Sequence, residues 1–227
     1  MKKNIDKKNK NLKKGNNFKK IINKYKKFFK ENILTNLFIS IVLMILIFCI
    51  VFIMQKNRNI DYASMEMDLS FFGNVKSTFF TSAVVTFAGI VPYCYISFLG
   101  FILSADIANI FLYVFATGSV ISKIFVIFSS ILQIIGYSFC ISAGFYYCKN
   151  ATKRFKYSQG KGFSYLDVKK GIYAIRKNEE KYNEIVDLQN KKLEKLEKNN
   201  VKIDYFNIII TTLIGFFINV IALIFVW

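Results

Sequence analysis

Between Ser77 and Cys148 the chain runs for 72 residues with two charged side chains, Asp106 and Lys123. An ionisable group in so apolar a stretch is costly to hold, and such groups are usually paired, wetted or put to use. Asp106 is the only carboxylate there, and Lys123 is the only cation within the block that could answer it. Two readings of Asp106 stay open. It is a functional intramembrane group of the kind a permease uses, or it sits at a wet turn after Ser104 and caps a helix. Gln133 lies further along the same block, where an amide can bond between helices without carrying charge.

Other chemistry is hard to build from these residues. The sequence has no histidine, so a Ser-His-Asp or Cys-His mechanism is excluded. Gly160, Gly162 and Gly171 do not form a phosphate-cradling loop. Cys49, Cys94 and Cys140 lie inside apolar runs and Cys148 ends one, with no C-x-x-C spacing. They read as small apolar residues, not metal ligands, so no metal and no cofactor is expected. A lipid-acting membrane enzyme would have neither a histidine nor a pair of intramembrane carboxylates to work with. The expected protein is not an enzyme.

The elements that must position these groups are apolar helices. Ile33–Met54 is an uncharged run of 22 residues, long enough to cross a hydrocarbon core and too long for the apolar part of a signal peptide. The expectation is a retained anchor. Residues 76–148 are long enough for three more crossings, drawn at about 76–95, 97–117 and 121–147. Residues 205–227 form a last span that closes on Trp227. The fold class is therefore all-α: a polytopic transmembrane helical bundle of about five spans.

Charge sets the expected orientation. Residues 1–32 form a basic segment, with thirteen lysines against Asp6 alone in the first thirty positions. Residues 149–204 carry fifteen Lys/Arg and eight acids, whereas the loop 55–75 is close to neutral. Lysine and arginine gather on the cytoplasmic side, so the N-terminus and residues 149–204 are placed on that side and the C-terminus on the other. Phe18, Ile21, Ile22, Tyr25, Phe28 and Phe29 recur at helical steps between Lys19, Lys20, Lys24, Lys26 and Lys27. That pattern predicts an amphipathic helix on an anionic inner leaflet, with a plain basic tail as the simpler alternative. Lysines flanking apolar spans do not build a nucleic-acid groove, so no nucleic-acid partner is expected. From about Leu166 to Asn199 a cytoplasmic helix is predicted. Ile172, Ile175, Tyr182, Val186, Leu193 and Leu196 fall on a partial heptad seam, and a solvated helix is the alternative.

Small residues are patterned too. Gly136, Cys140 and Gly144 recur every four positions, as do Ser138 and Ser142, and Ser82 and Thr86. Such faces let helices approach closely, either within one bundle or between proteins.

Two segments resemble the stage II sporulation protein M family of bacterial membrane proteins. Phe71–Ile110 carries Asn74-Val75-Lys76 where that family has an asparagine, an apolar residue and a basic one. Leu99-Gly100 stands at its Asn-Gly step, without the asparagine. Ile131–Phe145 has Gln133 in place of the family's glutamate, lacks its Pro-His-Gly, and closes on Ile141-Ser142-Ala143-Gly144-Phe145. The resemblance covers roughly residues 71–147. It implies a noncatalytic scaffold that recruits or holds peptidoglycan-degrading partners during envelope remodelling and engulfment, with other membrane or envelope proteins as partners and a homo-oligomer admitted. The competing reading is a transporter or permease-like subunit built on Asp106.

Overall fold

The computed structural model describes residues 19–56, 71–91, 100–160, 165–176, 179–198 and 200–225. Residues 1–18, the loop 57–70, the stretch 92–99 with Cys94, residues 161–164 and Trp227 lie outside the described residues. Within them the chain forms seven helices and no strand: α1 (Lys19–Lys56), α2 (Phe71–Phe87), α3 (Gly100–Thr117), α4 (Val120–Gly160), α5 (Tyr165–Ile175), α6 (Glu179–Glu197) and α7 (Tyr205–Ile224). Four of them, α1, α3, α4 and α7, are long and apolar enough to cross a bilayer.

Burial runs opposite to that of a water-soluble domain. Phe38, Phe72, Phe80 and Phe217 are 59–83% exposed on the outside of the bundle, whereas Ser40, Thr86, Ser104, Asn207, Thr211 and Asn219 are buried at 0–1%. In water this would expose apolar surface and bury polar groups, each at a cost. In hydrocarbon the apolar exterior costs nothing, and the interior polar groups bond helix to helix. Ser104 Oγ donates to the Met44 carbonyl at 3.0 Å, Thr86 Oγ1 to the Cys140 carbonyl at 3.3 Å, and Thr212 Oγ1 to Thr86 Oγ1 at 3.1 Å.

Helix α4 is the mast of the molecule: α1, α2, α3, α6 and α7 all pack on it. Glycines set the closest approach. A Cβ on Gly215 would stand 2.5 Å from the Gly136 carbonyl and 2.9 Å from Cys140 Sγ. A Cβ on Gly89 would meet the Gly144 carbonyl. The four-residue rhythm of Gly136, Cys140 and Gly144 thus faces α7 and the end of α2, inside the bundle. Ser142 on the neighbouring face meets Ser40 of α1 at 3.5 Å.

Several boundaries differ from the sequence expectation. Residues 19–32 of the basic segment and the first span are one element, because α1 runs unbroken for 38 residues with a π-helical turn at Phe29–Ile33. Its apolar face is partly taken by protein. Phe28 packs edge-on against Tyr146, Phe29 stacks on Phe139, and Tyr25 bonds to Thr211. Ile21 and Ile22 stay exposed, with Lys19, Lys20, Lys24, Lys26 and Lys27 also exposed around them. The second apolar helix begins at Phe71, inside the expected loop 55–75, and ends in a 3-10 turn at Ala88–Ile90, short of residue 95. Helix α4 passes the expected limit at 148 and continues to Gly160, since Lys149–Gly160 holds no proline to stop it.

The single helix expected over residues 166–199 is two. Helices α5 and α6 pack on each other, and Gln189 Nε2 bonds to Asp167 Oδ1 at 2.7 Å. Ile185, outside the heptad frame, is the buried residue of α6, while Ile172, Ile175 and Leu193 of the expected seam are exposed and are not what joins α5 to α6. Helix α7 opens on an N-cap: Asp204 accepts from the Asn207 backbone N–H at 3.2 Å and lies 3.4 Å from Lys24 Nζ, tying the starts of α1 and α7 together.

Candidate functional site

Helices α2, α3, α4 and α7 do not close completely around one another. They leave a cavity of about 190 Å³, lined among others by Asn74 and Thr78 of α2, Asp106 of α3, Gln133 and Tyr137 of α4, and Asn219 of α7. Its lining includes no lysine, arginine or cysteine. Each helix contributes from a polar position on an otherwise apolar segment, so the polar groups converge only after the bundle assembles.

Asp106 stands at the rim, exposed to the cavity, and makes no ion pair among the described residues. It lies in the first α-helical turn of α3, directly after the 3-10 turn at residues 100–102. It does not cap that helix: the N-cap position is Ile102, with no side-chain bond. No turn follows Ser104, because the α-helix runs unbroken from Leu103 to Thr117, while Asp106 itself is exposed. Tyr137 bonds to Thr78 and lies within electrostatic reach of Asp106. Gln133 is buried, and its amide nitrogen donates to Ser129 Oγ at 3.1 Å within α4.

Among the described residues, Asn219 is the one that leaves two buried side-chain polar atoms without a partner. It is 1% exposed, and neither its amide nitrogen nor its amide oxygen has a hydrogen-bond partner among the described residues. It fits against α4 only because position 136 is glycine, whose missing Cβ would collide with the Asn219 amide. A buried amide without partners costs about 1–3 kcal/mol and calls for an explanation.

The other residues singled out from sequence fall elsewhere. Lys123 is in the first turn of α4 and does not line the cavity, so the expected pairing with Asp106 is not made. Lys76 is exposed on α2, two residues from Asn74 and so on a different side of the helix. Gly100 opens α3, where a Cβ would press on Ile141 and Val85; Gly144 packs against Gly89. Of the expected set the structure gathers Asp106, Gln133 and Asn74. Sequence reasoning missed Asn219 and Tyr137. A signal for Asn219 was present: Asn207, Thr211, Gly215 and Asn219 recur every four residues through the last span and mark its inward face.

Among the described residues no three His, Cys, Asp or Glu side chains gather as a multidentate metal centre would need. Comparison of the chain with protein-family models, curated proteins and solved structures finds no match.

Proposed function

We propose that the protein is a five-span component of a plasma membrane, with its N-terminus in the cytoplasm and its C-terminus outside, that acts by binding rather than by bond chemistry. The fifth crossing is α2, whose Phe71–Phe87 helix and Ala88–Ile90 turn together reach about 30 Å. With α2 counted, five antiparallel passes leave both strongly basic segments on one side, as the distribution of lysine and arginine favours. Single cysteines at Ser64, Ser164 and Trp227 in a cysteine-free background test this. Labelling from outside intact cells is expected at 64 and 227 and not at 164; labelling at 164 rejects the orientation.

Within that frame the leading reading is a scaffold that recruits membrane or envelope proteins, in the manner of the stage II sporulation protein M family that residues 71–147 resemble. The observation that carries it is the continuity of α4. One helix of 41 residues runs through the bundle and also packs against α6, which in turn packs on α5. A rigid mast bearing a charged two-helix platform suits docking better than it suits a catalytic site. Full-length protein purified in mild detergent after brief cross-linking should carry a defined envelope partner or a second copy of itself. Recovery of uncomplexed monomer alone would sink the scaffold reading.

A second reading, a permease-like subunit, is favoured by the cavity. It places an intramembrane carboxylate and an unpartnered buried amide in one polar chamber. Lys123 has no part in it.

A further inference from the structure

We propose that the cavity between α2, α3, α4 and α7 is a binding site for a monovalent alkali cation, with Asp106 supplying the charge and Asn219, Gln133, Tyr137 and Thr78 the neutral oxygens. The inference concerns occupancy of the cavity, so it stands whether or not the ion is moved across the bilayer, and it does not depend on the scaffold reading.

Three observations converge on a cation. The first is charge: the lining holds one carboxylate and no lysine or arginine, and Asp106 forms no ion pair among the described residues. Asp106 stands exposed at the rim, so an ion entering the chamber would meet an unpaired carboxylate, and a bound cation neutralises it without a protein partner. The second is Asn219. Both ends of its amide are buried and without a partner among the described residues, and from α7, beside Gly136, it belongs to the lining of the same chamber. Its carbonyl is the kind of oxygen that coordinates a hard cation, and its amino group can hold a water or the Asp106 carboxylate once the ion is in place. The third is room: about 190 Å³ holds an ion with several waters.

The donor set also selects among cations. Every candidate ligand is oxygen, with no sulfur or imidazole, which disfavours zinc and copper. Calcium sites are typically built with more than one carboxylate, and this one has one. One negative charge among neutral carbonyls and hydroxyls matches a single positive charge.

The test is thermal unfolding of the full chain in detergent, titrated with Na⁺ or K⁺ against choline at constant ionic strength. A saturable rise in melting temperature with an alkali cation, absent with choline, is expected. Asp106→Asn should weaken the half-saturating concentration by about tenfold or more, as expected for losing one charge-assisted contact, and Asp106→Glu should restore the saturable response. If Asp106→Asn yields no folded protein, Thr78→Val replaces it, with a smaller loss of about threefold. An equal response to choline, a response to Ca²⁺ or Mg²⁺ alone, or a folded Asp106→Asn protein that titrates like the wild type overturns the proposal. Flux of ²²Na⁺ or ⁸⁶Rb⁺ into proteoliposomes is a separate readout: binding without flux keeps the site and rejects the permease reading.

Discussion

Gly136→Leu is expected to leave little folded protein, seen as loss of the monodisperse peak on size exclusion and of a cooperative melt in detergent. The position sits where α4 and α7 come closest. A Cβ there would collide with the Asn219 amide and stand 2.7 Å from the Gly215 carbonyl. Side chains can swing away, but a helix backbone on the far side cannot, so α7 would have to move as a unit. Inserting extra carbons into a packed core typically costs about 1–3 kcal/mol, and occasionally more. Here the cost falls on a contact that holds without a hydrophobic driving force, because lipid tails are as apolar as the leucine. The loss should therefore reach the upper end of that range. Gly171→Ala is the matched control. It lies on α5, where a Cβ meets nothing within 4 Å, so the change should be neutral or stabilising by up to about 1 kcal/mol. A Gly136→Leu protein that melts like the wild type would mean that the α4–α7 contact is not what holds the bundle.

Four of the five expected spans were legible in the sequence as long apolar helices, and the site only in part. Runs such as Ile33–Met54 announce a crossing by length and composition alone, because the bilayer fixes both. What those runs do not announce is where a helix ends. The apolar run ends at Cys148, yet the helix continues through Lys149–Gly160, so the mast is longer than its apolar part. The junction at residue 32 misleads in the same way: polarity changes there while the helix of α1 does not. In the platform, a heptad frame drawn through Val186 missed the break after Ile175 and the buried Ile185 one position away. A register read from mixed apolar and charged residues shifts easily by one.

The site was half visible. Asp106 and Gln133 stand out because each is rare in its surroundings. Asn219 and Tyr137 do not, since an amide or a phenol in a span is unremarkable until its neighbours are known. The pairing of Asp106 with Lys123 followed from their being the two charges in one block. It failed because seventeen residues along antiparallel helices separate them, Asp106 facing the chamber from α3 and Lys123 standing at the start of α4. The serine and glycine rhythms were read correctly as surfaces for close approach, yet spacing alone could not say which helix each would meet.

Asn219→Leu is expected to stabilise the empty bundle and abolish its response to cations, and these two effects together separate function from packing. Leucine has nearly the branched shape of asparagine, so it can occupy the niche opposite Gly136 without a new collision. It also removes two buried polar atoms that lack partners, whose burial costs about 1–3 kcal/mol. Membrane hydrogen-bonding terms are often smaller than their soluble counterparts, so a gain of about 1 kcal/mol is the reasonable expectation. For a chain of this size that raises the melting temperature by roughly 2–4 °C in choline. In sodium or potassium the order should reverse or the gap should close, because the wild type gains stabilisation by mass action and the variant does not. Each alternative leaves a different signature. If Asn219 is a packing residue only, the variant should be equally stabilised in every salt. If it is held by bonds that only the membrane-embedded state makes, the variant should be destabilised in every salt. Stabilisation confined to the cation-free condition is the outcome that a ligand-binding amide predicts, since a residue kept unsatisfied in the empty protein is retained for what it contacts when the site is filled.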